Sequence, residues 1–361
     1  MPDQEPLGYI PEELQGRSDV TLEEVNKHGG IKAVCGHLNL DLHPPKEGPA
    51  APDPSTIRFN FEGDIHSHAV MTWHNPAIDR GKHAYTPVFH ERNAAKKWER
   101  VREFHEIADQ VGEKAAIVMS DENREDSDRD AAAIVAIIAA TGLRPGSKES
   151  LKRGRTGVTT LTDDHVKIKG GSLVEIEFVG KAGKKNTRKI SDAALAKYLT
   201  EKIETAEERS GFLFTPSRTA LKGIMQETGA EGFMLKDFRT VYAAKAAAEA
   251  LANTPAPPPP LPDDPDEALD TLKKAYFAAS EVVADKLNNL PKTARNAYIP
   301  PTLVMAWARG MGADETNVVN LLKSHPDDVD QAEKLLQEAL KEHIYVSIPG
   351  PVEIPGEDDG D

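Results

Sequence analysis

Apolar and polar positions change their period along this chain, and each change predicts an element. Between 57 and 89 two short pieces, TIRFNFEG and HAVMTWH, are separated by the turn residues of HNPAIDRGK; this reads as strands of a small β-rich region. ERNAAKKWERVREFHEIADQV, residues 91–111, places apolar residues at helical spacing with a mostly charged opposite face. AAAIVAIIAA, residues 131–140, is almost wholly apolar and predicts a core helix. Its start is marked by the acidic run SDENREDSDRD, since carboxylates suit the positive end of a helix dipole, and its end by the TG of ATGLRPGS. Four β-branched pieces with glycine-containing turns follow, GVTTLT, HVKIKG, SLVEIEFVG and NTRKI, and predict strands. Helical spacing then returns in DAALAKYLTEKIETAEE, RTALKGIMQETG and LKDFRTVYAAKAAAEALA. NTPAPPPPLPDDPDE, residues 253–267, is a proline-rich acidic connector, leading to the helix ALDTLKKAYFAASEVVADKLNN.

The predicted fold class is therefore α+β: a small β-rich N-terminal domain and a mainly α-helical domain carrying a small antiparallel sheet. The 361 residues suit two domains. The expected boundaries are an acidic, loosely packed arm over 1–55, a β-rich domain over 56–115, a main domain over 116–305 with its connector at 253–267, and an acidic extension over 306–361. No internal repeat is evident. A single cysteine, Cys35, excludes a disulfide framework or a cysteine-rich zinc site. The N-terminus lacks a basic and apolar leader, and the longest apolar run is too short for a bilayer, so a soluble intracellular protein is expected.

A net charge of −15 argues against a polyanionic partner until its distribution is considered. Residues 1–55 hold ten acids and four bases, and residues 299–361 hold thirteen acids and four bases. These two ends account for the whole imbalance. Residues 144–190, by contrast, carry twelve bases against five acids. A basic middle thus lies between acidic ends.

Several positions in that middle and beyond suit phosphate chemistry. Arg144 follows the apolar helix in a glycine-flanked turn, Lys181 lies at a predicted hairpin tip in FVGKAGKK, and Lys236 and Arg239 share one helical face in LKDFRT. Tyr298 stands in ARNAYIPP, just before a helix-stopping proline pair. Each has a plainer reading: Arg144 capping its own helix, Lys181 solvated in a turn, KDFR a surface charge cluster, Tyr298 a loop anchor.

Their order, Arg, hairpin Lys, Lys-x-x-Arg and Tyr, resembles type IB DNA topoisomerases of the small bacterial and poxvirus kind. RTGVTTLTDDHVKIKGGSLVEIEFVGKAGKKN is similar to the family's stretch leading to the hairpin lysine, LKDFRTVYAA to its second arginine motif, and NNLPKTARNAYIPP to its tyrosine motif. GKHAYTPVFHERNAAKKWERV resembles its DNA-clamping N-terminal segment, so the likeness covers roughly residues 60–305. Pro145 and Ala84 depart from the pattern; Ala84 stands where glutamine commonly precedes the DNA-contacting tyrosine, here Tyr85. Asn289 matches the bacterial-type asparagine where other branches carry histidine.

The resemblance implies an ATP-independent DNA topoisomerase acting as a monomer that clamps double-stranded DNA, with no cofactor and no metal, in the cytoplasm or nucleoid or encoded by a virus. It implies Tyr298 as nucleophile, Lys181 as the acid that protonates the leaving 5′-oxygen, Arg144 and Arg239 as ligands of the phosphate oxygens, and Asn289 as a further donor. Tyr85 and Lys236 would contact the DNA, and the basic positions Lys96, Lys97, Lys152, Arg153, Arg155, Lys184, Lys185 and Arg188 would hold phosphates along the duplex. His66 and His68 alternate as zinc ligands would, but no third ligand has suitable spacing. Neither TGLRPGSK nor VGKAGKK fits a nucleotide-binding loop. The alternative is a tyrosine recombinase, opposed by Lys236, where recombinases usually carry histidine, and by the ending YIPPTLVMAW.

Overall fold

The strand-like alternation around Trp73 becomes the centre of a four-stranded antiparallel sheet. The computed structural model describes residues 10–205, 211–253 and 261–323. The chain divides into two units, residues 1–97 and 98–361. In the first, β1 (Val20–Thr21), β2 (Arg58–Phe59), β3 (Met71–Asn75) and β4 (Arg80–Ala84) pair in that order. The β3–β4 register sets Trp73 against Lys82. Two short helices, α1 (Leu22–Lys27) and α2 (Ile31–Cys35), lie between β1 and β2 in the chain. Thr21 and Glu24 form a reciprocal capping box at the start of α1.

Residues 10–55 therefore do not form the loosely packed arm expected from their acids and prolines. Leu14, Val20, Val25, Val34, Cys35, Leu38 and Leu40 are buried against Phe59, Phe61, Met71 and Trp73. These apolar residues are too widely spaced to show a period, yet together they close one face of the sheet. Burial also pushes the Cys35 thiol up to about 12, which makes it an inert core residue.

The long helix α3 (Pro87–Ser120) contains the unit boundary, and from Trp98 onward its apolar stripe belongs to the second unit. There it packs with α4 (Asp126–Thr141), the apolar helix of the sequence, which is buried almost all round. The short α5 (Lys148–Leu151) follows, then a three-stranded antiparallel sheet: β5 (Val166–Lys169), β6 (Leu173–Val179) and β7 (Lys185–Ser191). The expected first strand, GVTTLT, is instead a 3-10 turn over Val158–Thr160. The Thr160 hydroxyl donates to Gly157 O and accepts from Gly157 N–H at 3.1 and 3.0 Å, so a side chain satisfies backbone groups that a ladder would have used.

Helices α6 (Ala193–Glu204) and α7 (Arg218–Glu227) complete this first core. Asp130, Lys202 and Tyr198 are buried together inside it, with the Tyr198 hydroxyl 2.7 Å and the Lys202 ammonium 2.8 Å from Asp130 Oδ1.

A second core is built by α8 (Leu235–Asn253), α9 (Pro265–Leu287), α10 (Pro291–Tyr298), α11 (Pro301–Gly310) and α12 (Glu315–Lys323). Helix α8 serves both cores: Phe238 and Val241 face the first, Ala243 to Leu251 the second. Asp264 caps α9 and Pro265 opens it, so the helix takes the last residues of the expected connector. Residues 306–323, expected to belong to an acidic extension, are also core: Trp307, Ala308, Val318, Leu321 and Leu322 are buried. The remainder of that extension, with its helical pattern DDVDQAEKLLQEALKEH, lies outside the described residues. The architecture is α+β, as the sequence pattern predicts.

Candidate active site

The proline pair after Tyr298 explains its position. Pro300 forces Ile299 into an extended conformation (φ −93°, ψ 118°) and ends α10, while Pro301 is preset to open α11. The chain turns immediately after Tyr298 and leaves the phenol at the last turn of a short helix.

Three other helix ends meet it. The first is the end of α4, where Gly142 takes a left-handed conformation (φ 62°). A Cβ there would lie 2.6 Å from the Tyr242 ring. The Gly142 carbonyl, left without a helical partner, accepts from Arg239 Nη1 at 2.5 Å. The second is the end of α9, where Asn288 is left-handed (φ 52°) and Asn289 N–H returns to Ala284 O at 2.8 Å. Here the Leu287 carbonyl accepts from Arg239 Nη2 at 2.7 Å. The third is the N-terminal part of α8, whose second turn supplies Arg239 itself.

Arg239, 3% exposed, thus bridges two helix C-termini whose partial negative charge stabilises it. Its Nε donates to the Tyr298 hydroxyl at 3.3 Å, and its carbon lies 5.3 Å from the centre of that ring. Arg144 and Arg239 both donate to Asn289 Oδ1, at 3.2 and 3.4 Å. Asn289 Nδ2 is buried without a hydrogen-bond partner. Among the described residues no carboxylate pairs with either arginine. Burial is the largest single influence on the Tyr298 phenol and pushes its pKa up, but Arg239 and Arg144 together outweigh it and hold the group below its ordinary value of 10.0.

The loop carrying Arg144 is locked from behind. Gly146 (φ 83°) and Gly157 lie back to back, and a Cβ on Gly157 would stand 2.5 Å from Gly146 Cα and 2.8 Å from Arg144 O. Val158 N–H and Thr159 N–H donate to the carbonyls of Arg144 and Pro145. Pro145, unexpected in the family pattern, is compatible with this turn because only its carbonyl is used. Arg144 does not cap its own helix; Arg239 and Arg188 do.

Arg188 consequently differs from the expectation that it meets DNA. Strand alternation turns it inward, and its guanidinium donates to the carbonyls of Thr141, Thr187 and Lys286. Lys184 is also occupied: its ammonium donates to Asn289 O at 3.0 Å. Lys181 is exposed on the turn between β6 and β7 and is not among the groups that meet Tyr298. Lys185 pairs with Glu177, and Lys169 and Lys189 flank Glu175, so the outer face of the sheet neutralises part of its own charge. Lys96, Lys152, Arg153 and Lys236 are exposed, while Lys97 and Arg155 are half-buried.

In the first unit, Tyr85 stacks on Phe89 with ring centres 4.1 Å apart, and Asp41 accepts from Tyr85 N–H at 2.7 Å. His66 and His68 lie in a turn rather than on a strand and go to separate partners, Thr86 Oγ1 and the carbonyl of Asn60. Among the described residues no group of three or more His, Cys, Asp or Glu side chains is arranged to hold a metal ion, and no helix is long and apolar enough to cross a membrane.

Gly157 and Lys184 are the supporting residues that the sequence did not single out for these roles. The TG after an apolar helix was a readable C-cap signal; the Gly146–Gly157 contact and the Lys184 bond had none.

Comparison with curated protein sequences finds no match. Among solved structures, a XerH site-specific recombinase bound to difH substrate in a pre-cleavage complex is 14% identical, with a TM-score of 0.33, covering 51% of this chain and 47% of its own. A post-cleavage complex of XerH with palindromic difH is 14% identical, with a TM-score of 0.30 and 48% coverage of each chain. The chain thus spans about half the length of these structures, and likeness at this level carries no argument about chemistry. A family model described as eukaryotic DNA topoisomerase I, catalytic core, matches residues 86–300. That span is more than half of the chain and holds Arg144, Arg239, Asn289 and Tyr298, and on it the protein belongs to the DNA topoisomerase I catalytic-core family.

Proposed function

We propose that this protein is a type IB enzyme that relaxes supercoiled double-stranded DNA, acting as a monomer and needing neither ATP nor a metal ion. The observation that carries the reading is the convergence of two guanidinium groups, without a carboxylate partner among the described residues, on a tyrosine hydroxyl and an orphaned amide donor. Buried or half-buried cations left in this way are costly unless an anion joins them, and a DNA phosphate supplies both the charge and the acceptor atoms.

In this reading the Tyr298 oxygen attacks phosphorus as its proton passes to solvent water, a loss favoured by the adjacent arginines. The bond from phosphorus to the 5′-oxygen breaks, and Lys181 gives that oxygen its proton. The phosphate stays on tyrosine as a 3′-linked ester, whose energy permits the freed 5′-hydroxyl to attack and reseal the strand. Arg144, Arg239 and Asn289 Nδ2 serve the non-bridging oxygens, where preorganised donors act on charge as it develops. Lys181 reaches the leaving oxygen from its exposed turn once DNA is bound. Tyr85 and the exposed Lys96, Lys152, Arg153, Lys236 and Lys185, with Lys97 and Arg155, serve the flanking duplex.

The test is relaxation of a negatively supercoiled plasmid in EDTA without ATP, quenched with denaturant. Relaxed topoisomers and protein linked to a 3′ end support the proposal. Absence of an adduct, dependence on ATP or a divalent ion, or linkage to a 5′ end would overturn it. Joining of strands from two duplexes would point to a recombinase instead.

A further inference from the structure

The side of β7 that faces α9 makes bonds that the chemistry described so far does not use. Lys184 donates to Asn289 O at 3.0 Å, Asn288 Nδ2 donates to Lys185 O, and Arg188 donates to Lys286 O. The last turn of α9 and the residues just after it are thereby tied at three points to the strand that leaves the hairpin tip. The tip itself is closed tightly: Gly180 N–H donates to Lys184 O at 2.8 Å, and Gly183 adopts φ 70°. Asn186 Nδ2 also donates to Lys184 O, and a Cβ on Gly180 would stand 2.5 Å from that nitrogen. Lys181 lies inside this closed turn, three residues before Lys184.

We propose that Lys184 is a positioning residue: its bond to Asn289 O fixes the hairpin against α9 and so sets the reach of Lys181 to the leaving 5′-oxygen. Lys184 is placed for this rather than for a DNA phosphate, because its half-buried ammonium already serves a carbonyl in the turn between α9 and α10. The inference rests on the reading of Lys181 as the proton donor. It differs from that reading in making the donor's position depend on a second lysine on the opposite side of the turn. No new reaction step is involved: the Lys181 proton passes to the 5′-oxygen as the phosphorus–oxygen bond breaks, and Lys184 keeps its own protons.

The experiment uses the full chain and two duplexes with a mapped cleavage position, one carrying the natural 5′-oxygen and one with sulfur in its place. A thiolate leaves without being protonated, so the sulfur substrate bypasses the acid. Lys184→Met is expected to slow single-turnover cleavage of the oxygen substrate on the order of 10–100-fold, as misplacement of a reacting group by about 1 Å does. The sulfur substrate is expected to slow by less than about threefold, a selectivity that general loss of structure would not produce, because its leaving group needs no general acid. Lys184→Arg, which can still donate to the carbonyl, restores the oxygen reaction. Asn288→Gly keeps the left-handed turn while removing one tie, and should show the same selectivity at smaller size even if Lys184→Met folds poorly. Adding Lys184→Met to Lys181→Ala should slow the oxygen substrate no further.

Equal slowing of both substrates overturns the proposal, as does wild-type cleavage by Lys184→Met. So does a salt dependence of DNA binding reduced by about 0.9 in log–log slope, the mark of a lost phosphate contact. Normal oxygen cleavage by Lys181→Ala alongside a defective Lys184→Met would make Lys184 the acid itself. Failure of the parent reading looks different: the wild-type protein would form no adduct with either substrate, and Tyr298→Phe would match it.

Discussion

Replacing Arg239 with alanine should produce two separable defects, because the side chain holds two helix ends as well as the tyrosine. Its Nη atoms satisfy the buried carbonyls of Gly142 and Leu287. Each carbonyl left unpaired costs about 1–3 kcal/mol, so the two together cost about 2–6 kcal/mol, and water entering the vacated space favours the lower half of that range. For a domain of this size each kcal/mol lowers the melting temperature by about 2–4 °C. Cleavage should fall on the order of 10²–10³-fold at neutral pH, comparable to the loss of one preorganised oxyanion donor. The pH dependence gives the sharper test. In the wild type the arginines hold the Tyr298 pKa below 10.0 against burial, so the single-turnover rate should rise with pH and level off below that value. Without Arg239 the first of the two lowering influences is gone and burial acts against Arg144 alone. The pKa then rises, and the ascending limb moves to higher pH. Arg239→Lys keeps a charge but cannot span acceptors on three elements, so it should recover part of the pH shift and little of the stability. The assays are thermal melting and single-turnover cleavage from pH 6 to 10. Alanine at 239 with unchanged melting and an unmoved pH profile would refute the bridging role.

Tyr298→Phe should abolish relaxation and the covalent adduct while leaving DNA affinity nearly intact; a residual adduct would identify another nucleophile. Asn289→Asp should pair strongly with both arginines and present an anion to the phosphate, so cleavage should fall by about 10²-fold or more while the melting temperature holds or rises; wild-type cleavage would remove Asn289 from the site. Gly157→Ala drives a Cβ into the backbone of Gly146 and should slow cleavage at least about tenfold through displacement of Arg144, with DNA affinity retained; an unchanged rate would show that the loop yields without moving the guanidinium. Asp130→Ala leaves the Lys202 ammonium buried and the Tyr198 hydroxyl unpaired, and should destabilise the second unit by about 3–5 kcal/mol in denaturant titration; a loss below about 1 kcal/mol would mean that Asp126 and water replace it.

What the sequence revealed, and what it hid, follows from the range of the interactions involved. The break after Tyr298 is local, written in two prolines, and the end of α4 is local, written in Thr141 and Gly142. Helical spacing found α8 and α9, and an unbroken apolar run between an acidic start and a TG end found α4. Periodicity missed the packing of residues 10–55, where apolar positions are sparse and become a core only when β1 pairs with β2. It misassigned Val158–Thr160 because β-branched residues that favour strands also include threonines whose hydroxyls can replace a ladder. Arg188 and Lys184 looked like DNA contacts because charge is visible in sequence, whereas the carbonyls that take it are not.

Those carbonyls also unify the site. Arg239 lies on the C-termini of α4 and α9, Arg188 on the same two ends, and Lys184 just beyond the second. The two arginines are held by groups that a helix must leave unpaired and Lys184 by a carbonyl of the turn that follows, so none of the three depends on a phosphate for its position. Sharing Asn289 Oδ1 between Arg144 and Arg239 brings two like charges together on a neutral acceptor, an arrangement stabilised for Arg239 by the helix ends but for Arg144 by much less. Arg144 should therefore be the arginine whose position responds most to DNA, and Arg239 the one that is already in place before it arrives. Alanine at 144 should cost far less stability than alanine at 239 while impairing cleavage comparably, and melting both variants alongside single-turnover assays decides it: equal losses of stability would show that the helix ends do not distinguish the two.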